Sequence, residues 1–143
     1  MSIHSVAGQN ERINTILPST SASNTVYSLT SKQSGSIVFL DEGNFEDTSI
    51  IRLPPPDYGL NFKIINKTYD GTKTIYIKSY NSSQSLTNLI YKNRSLTGTA
   101  NPSLSNTITI TFENTDIGDE VNIICDGNHW YANGIVLSTS AYN

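Results

Sequence analysis

Few residues in this chain are equipped for chemistry. Cys125 and His129 stand four apart, across Asp126-Gly127-Asn128. A thiol and an imidazole joined by a tight turn could serve as a nucleophile and its base. No third group to orient the imidazole is apparent, and Cys125 ends an apolar run, where a buried inert thiol is ordinary. Metal ligation is equally thin. His4, His129 and Cys125 are the soft-ligand candidates, too few for a zinc site within one chain. Asp116, Asp119, Glu120 and Asp126 cluster in sequence but lack the spacing of an EF-hand loop. No Gly-rich phosphate loop, G-x-S-x-G elbow or H-E-x-x-H occurs. The expectation is a chain that is not an enzyme, with no catalytic residues, no metal and no cofactor.

The tyrosines say more. Tyr58, Tyr69, Tyr76, Tyr80, Tyr91 and Tyr131 fall in or beside turns, or on the polar phase of alternating segments. Tyr76 and Tyr80 share a phase with Lys78, opposite Ile75 and Ile77. Cross-strand packing is one use for such residues. The other is a wet, uncharged contact surface, since Tyr, Ser and Asn supply area and adaptable hydrogen bonds at low entropic cost. Tyr58, Tyr76, Tyr80 and Tyr131 are the candidate contact surface, suited to subunit contacts or to sugar.

Those side chains need a scaffold, and composition says which kind. The chain has 143 residues, 9 Lys+Arg, 12 Asp+Glu and a net charge of -3. That is the size of one domain. Only 15% of residues are charged, against about 25% in an average soluble domain. No basic stripe exists, which excludes a nucleic-acid footprint. Ser, Thr and Asn together number 51, while Ile, Val and Thr number 38 against 5 Ala and 5 Glu. β-Branched residues fit pleated, half-buried surfaces, and helix formers are scarce, so the chain reads as folded and all-β. A single Cys permits no intrachain disulfide. There is no signal-peptide pattern and no apolar run near 18 residues, so folding in a reducing cytosol without membrane insertion is expected.

Residues 1–24 show no clean period and read as an N-terminal arm, expected to lie against a neighbouring subunit because it has no core of its own. The domain is assigned to 25–143. Period-2 segments at 26–33, 36–40, 49–53, 60–65, 74–78, 107–112, 120–125 and 130–137 predict strands. Segment 86–91 reads as either a strand or one helical turn. Pro54-Pro55-Pro56 cannot pair in a ladder and predicts a stiff connector. Asp126-Gly127 predicts a hairpin turn. Trp130 is expected to plug the core, its indole N–H taking a backbone acceptor. No internal repeat is evident. Many short strands at this spacing predict a single antiparallel β-sandwich, jelly-roll-like. Its core phase is expected to hold Ile37, Phe39, Ile64, Ile75, Ile77, Ile108, Ile110, Phe112, Val121, Ile123 and Trp130.

Two stretches resemble a known group. Leu53-Pro54-Pro55-Pro56 followed by Gly59-Leu60-Asn61-Phe62-Lys63-Ile64 is similar to a step in viral fibre-head domains. The run from Ile117-Gly118-Asp119 through Asp126-Gly127-Asn128-His129-Trp130-Tyr131 resembles their closing hairpin. The resemblance spans residues 50–136 and is to small β-sandwich modules of phage tail fibres and of minor capsid or fibre proteins of large DNA viruses. It implies a virion structural protein assembled in the host cytoplasm. Such a protein forms a homotrimer and docks on larger capsid or tail subunits as a cap, cement or fibre-head component. The alternative it implies is a receptor- or glycan-binding head with a host glycan as partner. A small cellular lectin-like or enzyme domain is the third reading.

Overall fold

The computed structural model describes residues 13–68, 71–81, 86–92, 103–105, 107–111 and 117–136. Along them run β1 (Thr15–Ile16), β2 (Val26–Ser28), β3 (Ile37–Leu40), β4 (Thr48–Arg52), β5 (Tyr58–Asn66), β6 (Thr74–Lys78), β7 (Leu86–Lys92), β8 (Ser103–Ser105), β9 (Thr107–Thr111), β10 (Glu120–Asp126) and β11 (Trp130–Val136). Short 3-10 turns at Ser31–Gln33 and Glu42–Asn44 join strands. The chain is all-β, and 86–92 is a strand. His4, Phe112, Tyr69, Asp116 and the first half of the expected arm lie outside the described residues.

The strands form two sheets, ordered β1-β3-β5-β10-β11-β7-β8 and β2-β4-β6-β9. From β1 to β6 the chain alternates between them, and each strand lies parallel to the one two before it. Residue 15 lies beside 37, 26 beside 50, 37 beside 63 and 48 beside 74, so successive turns of this coil take 22, 24, 26 and 26 residues. Antiparallel strands then close it: β10 pairs with β5 and β11, and β9 pairs with β6. Both sheets are therefore mixed. The expectation of a purely antiparallel, jelly-roll-like sandwich is corrected on this point. A two-residue hairpin signal marks antiparallel pairing in a sequence, but alternation alone does not distinguish a parallel neighbour from an antiparallel one.

One apolar core lies between the sheets. Across the small sheet, Ile51, Ile77 and Ile108 align in register, as do Ser49, Ile75 and Ile110. Across the large one, Val38, Ile64 and Val121 align, with Phe62 beside Ile123 and Ala132. All of these are buried, and each fully buried Ile or Phe contributes about 1.5–3 kcal/mol. Gly134 completes the first row of the large sheet, where a Cβ would sit 2.1 Å from the Glu120 carbonyl oxygen. Only glycine lets β10 and β11 approach this closely. On β3 the inner phase is Val38 and Leu40, while Ile37 and Phe39 are half-buried on the outer face. That corrects their expected place in the core. Residues 37–40 are apolar on both phases, and pairing of Val38 with Ile64 decides which side faces inward.

The second half of the expected arm belongs to this scaffold. Thr15 and Ile16 pair with Ile37 and Val38, and Ile16 and Pro18 are buried. The Thr20 hydroxyl bonds that of buried Ser49 at 2.7 Å and accepts from the Glu46 N–H at 2.9 Å. Two connections of the coil are also tied together. Glu42 Oε1 accepts from the Thr72 and Lys73 N–H groups, and Lys73 Nζ donates to the Glu42 and Phe45 carbonyls.

Candidate functional site

Some of the residues singled out from sequence, Tyr58, Asp126, Gly127, Trp130 and Tyr131, meet at one corner of the large sheet, where the β10–β11 turn meets the start of β5. Along β5, Asn61 faces Ile124, yet Tyr58 faces Asp126. Three residues of β5 thus span two of β10, a β-bulge of the kind that re-aims a side chain. Gly59 supplies it with a φ of 82°, a left-handed conformation that disfavours other residues. In unbroken alternation Tyr58 would share the inner phase of Leu60, Phe62 and Ile64. The bulge turns it outward, and it is 83% exposed.

Asp126 organises the turn. Its Oδ1 accepts from the Asn128 N–H at 2.9 Å and the His129 N–H at 2.8 Å, which is the Asx-turn use of aspartate. Its Oδ2 accepts from the Tyr131 hydroxyl at 2.9 Å. These donors, the His129 N–H foremost, then the Asn128 N–H and the Tyr131 hydroxyl, lower its pKa to about 2. The same carboxylate raises the pKa of Tyr131, since the phenol proton is already shared with an anion. Gly127 adopts a φ of 101°, as the turn requires. The result is an exposed tyrosine ring whose tip is fixed. Tyr58, Gly59, Ile124, Cys125, Asp126 and Tyr131 line a shallow depression of about 380 Å³ here.

The linkage has a definite sign. Asp126 is depressed from 3.8 to about 2, so its contribution to the turn is complete above about pH 4 and fades as pH falls toward about 2. We predict that the Asp126 carboxyl carbon titrates by NMR with a midpoint near 2, and that Tyr131→Phe raises it only part of the way toward 3.8, because the two larger backbone hydrogen bonds remain. A wild-type midpoint near 3.8 would show that the anchoring bonds are not held in solution.

Cys125 and His129 do not form a dyad. Cys125 is buried, its Sγ accepting from the Gly127 N–H at 3.4 Å. His129 is exposed, with Nδ1 3.9 Å from Asp126 Oδ2. Asp119 immediately precedes β10, Glu120 opens it and Asp126 closes it, so these acids are spread along a strand roughly 20 Å long. Among the described residues no group of three His, Cys, Asp or Glu is placed to hold a metal ion. Trp130 is fully buried beside Phe62, ring centroids 6.4 Å apart. Its Nε1 has no hydrogen-bond partner among the described residues, against the expectation of a backbone acceptor. The indole lies in the apolar core, and strand carbonyls point along the sheet to their ladder partners rather than into the layer between sheets.

The four tyrosines of the expected contact surface lie on two sheets. Tyr58 and Tyr131 flank Asp126. Tyr76 sits on the outer phase of β6, half-buried, with Lys78 Nζ 5.6 Å from its ring centroid. Exposed Tyr80 follows that strand, and its carbonyl accepts from Arg52.

A second feature is the outer face of the large sheet. One row across it reads Ile37, Lys63, Asn122, Asn133; another reads Phe39, Ile65, Glu120, Ile135; a third holds Asn61, Ile124 and Tyr131. Ile124 is 50% exposed and Ile135 41%. The only charges in these rows, Lys63 and Glu120, pair with each other at 3.6 Å. A depression of about 450 Å³ lies over the face, edged by Ile13. Sequence reasoning missed both the bulge and this face. Tyr-Gly at the start of a strand could have signalled the bulge, and the double-phase apolar run at 37–40 the face.

No protein-family model, curated protein or solved structure matches this chain.

Proposed function

We propose that this chain is a non-enzymatic structural component of a virus particle, a cap, cement or fibre-head module. It self-associates, as a homotrimer, and docks on larger capsid or tail subunits. The observation that carries the reading is the outer face of the large sheet. Isoleucines and a phenylalanine share it with three asparagines and one internally neutralised ion pair. An apolar patch with a polar rim marks an interaction site. A second copy brings no uncompensated charge to such a face, whereas most solvent-facing sheets carry charges that repel a like surface. The particle setting and the threefold symmetry come from the fibre-head resemblance of the closing hairpin.

The test is native mass measurement at micromolar concentration, repeated across a salt series. Association is expected to persist from low to high salt, because screening acts on exposed charges and few are present. Ile135→Glu, at a 41% exposed position, should leave the fold intact and weaken association at least about tenfold. A monomer under all conditions, or an assembly that dissociates as salt rises, would overturn the reading. Labelling the protein within purified particles then tests the docking role.

A further inference from the structure

The outer face of the small sheet differs in kind from that of the large one. We propose that it docks an acidic segment of a partner protein, with a carboxylate seated between Arg52 and Lys78. The inference rests on the docking role proposed above and adds the chemistry of the partner.

Three observations carry this. The first is a row of donors. Ser28, Arg52, Lys78 and Thr107 align in register across all four strands of the sheet. They stand on its outward phase, so hydroxyls flank a guanidinium and an ammonium. The next row is Val26, Ile50, Tyr76 and Thr109, and neither row holds a carboxylate. Glu46 and Asp47 precede β4 at its opposite end, about 16 Å along the strand from Arg52.

The second observation is uncompensated charge. Arg52 and Lys78 are register neighbours on strands about 4.8 Å apart, where like charges destabilise a sheet. The ion pairs among the described residues are Lys63–Glu120, Lys67–Asp41 and His129–Asp126, so neither cation has a counter-ion there. On the large sheet the outward lysine is neutralised by Glu120. Here two cations stand together on a chain of net charge -3, an arrangement that folding does not require and that a bound carboxylate relieves.

The third is placement. Arg52 Nη1 donates to the Tyr80 carbonyl at 3.2 Å, which holds the head group and leaves the other donors of its fork. Lys78 Nζ rests 5.6 Å from the Tyr76 ring centroid. Groups fixed before the partner arrives lose less freedom on binding, and an arginine fork matches a carboxylate. The same face selects against other occupants. A metal cation would meet two positive charges. A second copy set face to face about a twofold axis would oppose cation to cation. A nucleic acid needs a basic stripe, which two cations do not make.

The experiment titrates the full chain with a blocked hexaglutamate peptide at low ionic strength, and follows the amides of Ser28, Arg52 and Lys78 by NMR. Saturable shifts are expected, with a Kd on the order of 1 mM that weakens at least about tenfold at physiological salt. Arg52→Gln and Lys78→Gln should each weaken binding at least about fivefold. Lys67→Gln, which removes a lysine paired with Asp41, should leave it unchanged. Melting curves confirm that each variant is folded. No saturable shift, or binding that survives both Arg52→Gln and Lys78→Gln, overturns the inference. Equal binding of blocked hexaglutamine does so too. Inorganic phosphate or a charge-matched sulfated oligosaccharide that binds these amides more tightly than the peptide overturns the assignment to a protein carboxylate. Native mass spectra of the same samples report self-association separately. Peptide binding by a chain that purified particles lack would remove the particle setting and keep the acidic partner; a labelled particle with no peptide binding would do the reverse.

Discussion

Replacing Trp130 with alanine is expected to lower the unfolding free energy by about 3–5 kcal/mol, a large share of the roughly 5–15 kcal/mol that holds a domain together. Trp130 is fully buried, lies against Phe62 and pairs with Cys125 and Leu86 in the ladder. The side chain fills space that facing strands cannot collapse to close, so truncation loses transfer free energy and leaves a cavity. Trp130→Phe should behave differently. It keeps a ring in the site and removes the buried Nε1 donor that has no partner among the described residues. A buried orphan donor costs about 1–3 kcal/mol, and its removal offsets much of the smaller cavity. The phenylalanine variant should therefore lie within about 1 kcal/mol of wild type. Urea unfolding followed by far-ultraviolet circular dichroism reads both, since the chain's one tryptophan is the residue replaced. Alanine as stable as wild type would place Trp130 outside the core. Phenylalanine as damaging as alanine would mean the indole N–H is hydrogen-bonded.

The Trp130 prediction could be framed from sequence because β11 alternates cleanly. Trp130 and Ala132 go in, Tyr131 and Asn133 go out. The same holds for Ile108 and Ile110 against Thr107 and Thr109. Alternation fails where both phases are apolar. On β3 neither Ile37-Val38 nor Phe39-Leu40 states its own orientation, and the choice is made by a strand 26 residues away, where Ile37 meets Lys63. The parallel coil was hidden for a related reason. Its turns differ in length and share no residue motif, so only the placement of strands repeats, and pairing partners are a tertiary property.

The corner site was half legible. Asp126-Gly127-Asn128 announces a tight turn, and that turn forms. What the turn does to its neighbours depends on contacts between strands. Tyr131 becomes a fixed surface because Asp126 reaches it five residues along, and Tyr58 joins them because a bulge shifts β5 by one residue. Tyr76 and Tyr80, equally suggestive in sequence, fall on the other sheet. Nothing in residue type separates the two pairs; the alternation of the chain between sheets does.

That alternation also sets the outcome of truncation at the N-terminus. Deleting residues 1–20 should cost about 3 kcal/mol and lower the melting temperature by on the order of 10 °C. It removes buried Ile16 and Pro18, the pairing of β1 with β3, and the Thr20 hydroxyl that satisfies Ser49 and the Glu46 N–H. Burial of Ile16 alone contributes about 1.5–3 kcal/mol. The loss also uncovers an edge of β3, whose four residues are all apolar. A bare apolar edge is a template for intermolecular pairing, so the truncated protein should aggregate in a concentration-dependent way. Deleting residues 1–12 removes none of these contacts and should melt close to the intact chain. Circular dichroism melts of the two truncations, with light scattering at rising concentration, separate the cases. If the longer deletion melts like the intact chain and stays dispersed, β1 is not a working part of the sheet. If the shorter one is equally destabilised, the first twelve residues contribute to stability as much as the strand that follows them.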